Sequence, residues 1–152
     1  MVDAADLSSG SASNSANEAL RQTAEYLHDI LLLLQKRASG TSSAKGPPNL
    51  PILIAANKLD LFTALPAPLV KNGLEKEISN VRNSKTKGLL DSGVGMDDMQ
   101  EERDWLGDGG GGQFTFSQMD AVNVSVKVLG GNVTGTDGPD VKQWWDWIGS
   151  NL

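Results

Sequence analysis

Residues 50–56, Leu-Pro-Ile-Leu-Ile-Ala-Ala, form an unbroken apolar run. A strand with one face in water alternates apolar and polar side chains, whereas a strand covered on both faces is apolar throughout. Runs of this kind are typical of parallel sheets covered by helices. The run therefore predicts a central strand in an α/β fold, and the rest of the chain has to supply helices and further strands.

Three segments carry apolar residues at helical spacing, at about 16–36, 67–82 and 139–151. The first begins with the capping-box pattern Ser-x-x-Glu, which satisfies free N–H groups at a helix start. His28 lies off the apolar stripe of this segment. We therefore expect His28 on the surface or the flank of the first helix.

Two further segments look like strands. Val2 reads as the tail of a strand that ends at Asp3. Residues 114–129 look strand-like because four valines alternate with polar residues near their end. The order strand, helix, strand, helix, strand, helix predicts a parallel sheet with right-handed crossovers. The four alternating valines are Val122, Val124, Val126 and Val128.

Tryptophans crowd the last predicted helix. Trp144 and Trp145 fall on its apolar face, together with Leu152, so we expect both tryptophans to pack against the sheet. Trp147 fits either a core position or a partner surface, because tryptophan is enriched at interfaces. Trp105 lies in an acidic segment, and we do not expect it to be a docking residue.

Three segments are poor in residues that build a core: 8–17, 37–50 and 83–113. Glycine, serine, asparagine and aspartate dominate them, so we expect them to be flexible within a single partial domain that spans residues 1–152. The last segment contains an acidic run at 97–104 and a glycine-rich run at 107–113, and both are interpreted as solvated loops. The core is thus expected to be small.

Composition excludes several functions. The net charge of −6 argues against direct binding of nucleic acid, whose phosphates need a basic face. The chain has no cysteine and one histidine, which excludes thiol chemistry and argues against a multi-histidine metal site. The longest aliphatic run, Ile30–Leu34, is far shorter than the ~20 residues that span a bilayer. We expect any membrane contact to come from an anchor outside this sequence.

Polar groups follow the apolar run abruptly. Asn57, Lys58 and Asp60 stand where the predicted central strand ends, and the turn 130–133 stands at the end of the next predicted strand. Ligands of open parallel sheets bind beyond the carboxyl ends of the strands. If the two strands are neighbours, both loops border one pocket.

The chemistry of this group suits a purine base. The Asp60 carboxylate can accept two hydrogen bonds side by side, and guanine presents such a pair of donors on its N1/N2 edge, whereas adenine does not. Asn57 can donate and accept at once, so it can tie a base to a neighbouring loop. The alkyl stem of Lys58 can lie over an aromatic ring with its ammonium left free.

The string Asn-Lys-Leu-Asp after an apolar strand resembles the N-K-x-D base-specificity motif of small GTP-binding proteins. The strand-loop-helix of residues 1–32 resembles the one that precedes this motif in Arf- and Sar-like GTPases. In more detail, the chain is similar to the fungal-type beta-subunit family of the signal recognition particle receptor. The segments that carry this similarity are TAEYLHDILLLLQ, ILIAANKLDLFTALP, LEKEISNVRNSK, FTFSQMD and VKQWWDWIGSNL.

The resemblance assigns roles to the strand-end residues. Asp60 matches the residue that accepts from guanine N1 and N2, and Asn57 matches the residue that contacts the base and braces the phosphate loop. Lys58 matches the residue that packs over the ring. The implied ligand is a guanine nucleotide, GTP.

The turn after the last strand is the second base-contacting element of the family. It usually carries Ser-Ala, and Gly131, Asn132 and Val133 match it here, with Asn132 in the place of the serine. This turn departs from the family pattern. Its backbone N–H groups remain candidates to meet the guanine carbonyl.

The sequence contains no G-x-x-x-x-G-K-[ST] string, which GTPases use to hold phosphates and Mg²⁺, and no D-x-x-G switch motif ahead of the first helix. Asp3 matches the end of a middle strand, so it is not the metal-associated aspartate of the family. The chain therefore resembles the C-terminal half of a Ras-like GTPase fold, with Mg²⁺ expected only together with the other half. No catalytic residue and no metal ligand is identified, and hydrolysis cannot be inferred.

The resemblance implies a GTP-binding subunit on the cytoplasmic face of the endoplasmic reticulum membrane. Such a subunit holds the alpha subunit of the receptor and supports co-translational protein targeting. Two alternatives remain: an Arf- or Sar-like trafficking GTPase, and a nucleotide-free interaction module derived from a GTPase. The nucleotide-free alternative predicts that Asp60→Asn leaves partner binding unchanged.

Overall fold

The fold is α/β, as predicted, and is built on a sheet of three parallel strands in the order β1-β2-β3. The computed structural model describes residues 1–8, 14–40, 49–91, 106–107 and 112–152. The strands are β1 (Val2–Asp3), β2 (Leu50–Asn57) and β3 (Val124–Gly130). β2 lies in the middle and pairs with β3 from Leu50 opposite Val124 to Ala56 opposite Gly130. The apolar run is thus the central strand of the sheet in the described part of the chain.

Three α-helices alternate with the strands. α1 and α2 run beyond the bounds predicted from apolar spacing, and α3 is shorter, because Pro139 and Asp140 belong to the preceding loop. Near the predicted ends of the two long helices, the polar side chains Gln35 and Arg82 are buried as well. The helices are α1 (Asn14–Gly40), α2 (Ala67–Asp91) and α3 (Lys142–Ser150).

The helices reach into the three segments that composition assigned as flexible. Residues 14–17, 37–40 and 83–91 are helical, and the flexibility of those segments stays a prediction. The acidic run 97–104 and Trp105 lie outside the described residues, as does most of the glycine-rich run.

The segment 114–129 is only partly a strand, which corrects the prediction. Residues Phe116–Val122 form a 3₁₀ helix, and β3 begins after Asn123, which adopts a left-handed conformation at φ 57°. The reason is burial: Phe116 and Met119 are both in the core, and their spacing of three residues suits a 3₁₀ turn rather than a strand. Val122 therefore belongs to this helix and not to the alternating strand.

The core lies between the sheet and the long helices. α1 and α2 pack against each other, and both contribute fully buried leucines, Leu31 and Leu74. The rings of Phe114 and Phe116 meet edge to face at 5.8 Å and complete this core from the segment before β3.

Buried polar side chains fix that segment to the helices. Phe116 N–H donates to Glu75 Oε1 at 2.8 Å, and Phe114 N–H donates to Ser79 Oγ at 2.9 Å. Gly107 N–H donates to Gln35 Oε1 at 2.9 Å. These buried side-chain oxygens accept from backbone N–H groups that lie outside the strands, so the polar groups on both sides are satisfied.

His28 is buried at 3% exposure, which overturns the expected surface position. α2 covers this flank of α1 and brings Lys85 Nζ within 3.3 Å of His28 Nδ1. The same nitrogen lies 3.0 Å from Asp29 Oδ1, and Lys85 donates to that carboxylate at 2.6 Å. The lysine hydrogen bond, and then the histidine, lower the pKa of Asp29 below its usual value.

The two adjacent tryptophans of α3 differ in burial, whereas the sequence predicted that both pack on the sheet. Trp144 is buried and donates from Nε1 to Leu129 O at 3.1 Å, as expected of a helix that packs on β3. Trp145 is 66% exposed and Leu152 is fully exposed, so neither packs on the sheet. Adjacent helical residues point about 100° apart, and only one of two neighbouring tryptophans can face β3.

Candidate functional site

The two strand-end loops lie side by side. β2 and β3 are parallel neighbours, so their carboxyl ends meet at one edge of the sheet, and the condition that the sequence left open is met. Gly131 N–H donates to Ala56 O at 3.0 Å, and Leu59 N–H donates to Gly131 O at 3.2 Å. The ladder between the strands thus continues into the loops and fixes their separation.

Asn57 joins the two loops through its side chain. It is the last residue of β2 and is half-buried, and its Oδ1 accepts a hydrogen bond from Val133 N–H at 3.1 Å. Asn57 Oδ1 thus connects the end of β2 to the turn after β3, whereas its predicted contact with a base stays a prediction.

Lys58 is held by Asp3, at the end of β1. It has a left-handed backbone, at φ 66°, and its ammonium forms an ion pair with Asp3 Oδ2. The expected free ammonium is therefore a paired one, because β1 ends at the same edge of the sheet as β2. The other carboxylate oxygen of Asp3 accepts from Ala5 N–H at 3.1 Å.

This pairing changes the titration of both groups. Partial burial raises the pKa of Asp3, but the hydrogen bonds from Lys58 and from the backbone N–H groups of Asp6 and Ala5 outweigh it, and the net pKa is lowered. The hydrogen bond to Asp3 and its negative charge raise the pKa of Lys58. Both groups are therefore charged at neutral pH, and the Lys58 ammonium is held at the end of β1.

Asp60 borders an open cavity of about 360 Å³. Ligand pockets typically measure ~300–1,000 Å³, so the cavity is large enough for a small ligand. Two further acidic residues, Asp137 and Asp140, line it from the loop after β3. Acidic residues in the lining favour a ligand edge rich in N–H donors and disfavour phosphate. The lining residues are Leu59, Asp60, Asn132, Gly135, Thr136, Asp137, Gly138, Pro139 and Asp140.

The turn Gly131-Asn132-Val133 is brought next to Asn57, but its N–H groups already have partners. Gly131 N–H donates to Ala56 O, and Val133 N–H donates to Asn57 Oδ1. Asn132 is buried, and its N–H donates to Asp140 O at 3.0 Å. A ligand carbonyl at this turn therefore has to share or replace one of these bonds.

Sequence reasoning missed part of the site. The sequence identifies Asp3 only as a strand end, and the loop residues Gly135, Asp137 and Asp140 match no motif. The one local signal in that loop is the Asp137-Gly138 dipeptide, which is typical of a turn, and Gly138 does adopt φ 91°. The position of Gly135, Asp137 and Asp140 beside Asp60 depends on contacts between segments that are distant in sequence.

Within the described ranges, no group of three histidine, cysteine, aspartate or glutamate side chains is placed to hold a metal ion. No helix in the part of the chain that the structure describes is long and apolar enough to cross a membrane.

Comparison with known proteins supports the fold and the family. The family model described as "Signal recognition particle receptor beta subunit" matches residues 11–124. The beta subunit of the signal recognition particle receptor from Saccharomyces cerevisiae (strain ATCC 204508 / S288c) is 32% identical over 136 residues, which cover 88% of this chain and 49% of the relative.

Two solved structures from Chaetomium thermophilum are also similar. The signal recognition particle receptor protein SRb-GDP-Mg is 43% identical, with a TM-score of 0.79, and the match covers 99% of this chain and 59% of that one. SRb in the SRb-GTP/SRX complex is 42% identical, with a TM-score of 0.78, and the match covers 99% of this chain and 47% of that one.

The sheet order, the helices and the strand-end site define a protein with the α/β fold of P-loop GTPases. Within that class, the chain belongs to the beta-subunit family of the signal recognition particle receptor. It spans about half the length of the yeast relative.

Proposed function

We propose that this chain binds the base of a guanine nucleotide, GTP or GDP, at the carboxyl ends of β2 and β3. The observation that carries the proposal is the position of Asp60. Its carboxylate borders a cavity between the two loops, while Asn57 fixes the loop on the other strand. The relatives solved with GDP and with GTP support the same ligand class.

In this proposal, Asp60 accepts from guanine N1 and N2, Asn57 holds the neighbouring loop, and the stem of Lys58 covers one face of the ring. The acidic residues of the cavity would repel phosphates, so the phosphates and Mg²⁺ would need groups other than these side chains. Gly131, Asn132 and Val133 belong to the neighbouring turn, and a backbone N–H group of this turn would meet the guanine carbonyl.

The test is a titration of the chain with a fluorescent GTP analogue, with GTP and ATP as competitors. Asp60→Asn should lower the affinity of the chain for GTP. It should also raise the affinity for xanthosine triphosphate relative to GTP, because an amide can donate to the carbonyl that xanthine has in place of the guanine amino group. Asp120→Asn is the matched control, since Asp120 is exposed outside the site. Unchanged selectivity in Asp60→Asn would contradict the base contact and favour the nucleotide-free module.

We propose further that the chain acts as part of a receptor beta subunit on the cytoplasmic face of the endoplasmic reticulum membrane, where it holds the alpha subunit for co-translational targeting. The family match and the complex of a relative with SRX support this role. Co-precipitation with the alpha subunit, compared in GTP and in GDP, tests it. Capture of Arf- or Sar-type trafficking partners instead would overturn it.

A further inference from the structure

The loop 132–140 is closed on itself by Asn132. Asn132 N–H donates to Asp140 O at 3.0 Å, and Asp140 N–H donates back to Asn132 O at 2.9 Å. The Asn132 side chain is 8% exposed, and its Nδ2 donates to Gly138 O at 2.9 Å. Three hydrogen bonds from one residue thus hold both ends of the loop together.

Inside this loop, the backbone of Gly135 lies against Asp60. A Cβ built on Gly135 would lie 3.2 Å from Asp60 Oδ2 and 2.8 Å from Asn132 Nδ2. Any side chain at position 135 would therefore press on the carboxylate and on the amide at the same time. Gly138 N–H donates to Gly135 O at 3.1 Å and fixes Gly135 in this position.

We infer that Asn132 is a positioning residue that holds Gly135 beside Asp60, and that the bare backbone of Gly135 leaves the Asp60 carboxylate free to accept the paired N–H donors of guanine. This inference rests on the proposed function. It assigns Asn132 to the architecture of the loop and makes Gly135 a residue that determines base specificity. The loop also brings Asp137 and Asp140 to the cavity, where carboxylates disfavour a base edge that presents acceptors.

The first test compares Gly135→Ala with Gly149→Ala in the full 152-residue chain. Both variants add one methyl group, but a Cβ at Gly149 meets no atom within 4 Å. Competition between GTP and ATP for a fluorescent GTP analogue should show the affinity of Gly135→Ala for GTP lowered by about tenfold or more, and Gly149→Ala equal to wild type.

The outcomes separate the inference from the proposed function. Wild-type affinity in Gly135→Ala would overturn the inference and leave the proposed function standing. A folded wild-type chain that does not prefer GTP over ATP would overturn both.

The second test needs no nucleotide and remains available if Gly135→Ala fails to fold. Asn132→Ala removes the bond to Gly138 O, so amide hydrogen exchange at Asp140 and Gly138 should become faster while the amides of α2 are unchanged. In the binding assay the same variant should lose preference for GTP over ATP. Unchanged amide exchange at Asp140 and Gly138 would overturn the positioning role of Asn132. If the variant also lost its preference for GTP over ATP, Asn132 would be a direct base contact instead.

Discussion

Asn57 Oδ1 accepts a hydrogen bond from Val133 N–H at 3.1 Å, and this bond joins two loops that are 76 residues apart in sequence. Each loop follows a different strand, and neither loop has a regular structure of its own. The bond therefore connects the Asn-Lys-Leu-Asp segment to the turn after β3.

Asn57→Ala should destabilise the chain by about 1 kcal/mol, because it leaves the Val133 N–H without its partner. Urea unfolding measures the change, and hydrogen exchange at Val133 should become faster. Asn72→Ala is the control: Asn72 is exposed on α2, and alanine there favours the helix slightly. Equal stability of Asn57→Ala and wild type would show that the bond between Asn57 and Val133 does not stabilise the fold.

Asp3→Asn should remove a stabilisation that depends on pH. The pKa of Asp3 in the folded chain is lowered from its usual 3.8, so its ionised form stabilises the fold above that value. This stabilisation is lost as the pH falls below 3.8 toward the lowered pKa.

Urea midpoints at pH 7 and at about pH 3 check this expectation. Asp3→Asn should be less stable than wild type at pH 7, and the difference should shrink at the lower pH. A difference of the same size at both values would show that the Asp3 charge does not stabilise the fold. Asp120→Asn should show neither effect.

Leu31→Ala should lower the free energy of unfolding by about 2–5 kcal/mol, because Leu31 is 1% exposed in the core between the helices and the sheet. Leu33→Ala, two residues away on the same helix, should cost less than about 0.5 kcal/mol beyond any helix-propensity effect, since Leu33 is 66% exposed. Thermal unfolding of the two variants compares them directly. Equal losses would mean that α1 does not pack as described.

Gly131→Ala should destabilise the chain by about 1–3 kcal/mol. A Cβ at Gly131 would lie 2.4 Å from the backbone oxygen of Asp140 and 3.0 Å from the Trp144 ring, and a backbone atom cannot move aside as a side chain can. The intrinsic fluorescence of the chain on urea unfolding provides the measurement. Gly149→Ala should be neutral or stabilising by up to about 1 kcal/mol, and a neutral Gly131→Ala would contradict the close approach.

Much of the fold follows from local patterns. The apolar run at β2 has no alternation and is the central strand, and the apolar stripes of α1, α2 and α3 predict three helices. The helix ends are less predictable, because α1 and α2 continue past the point where the apolar spacing stops.

The local pattern failed where burial depends on a neighbour. His28 lies off the apolar stripe of α1, yet α2 covers it and supplies Lys85. Residues 114–122 contain apolar residues that suggest a strand, yet the core takes Phe116 and Met119 into a 3₁₀ helix. In both cases the contacts that bury the segment come from α2, through Lys85 for His28 and through Glu75 for Phe116. Because α2 is distant from both in sequence, a short window of neighbouring residues does not show that they are buried.

The sequence by itself determined the fold class, the family resemblance and the polar group at the end of β2, because periodicity and short motifs are local properties of a chain. Only the tertiary structure decided that Lys58 pairs with Asp3, that Asn57 bonds to Val133 and that Gly135 lies against Asp60. Each of these contacts joins loops from two different strand ends, and their distance depends on strand order and register, which are set by packing of the whole sheet.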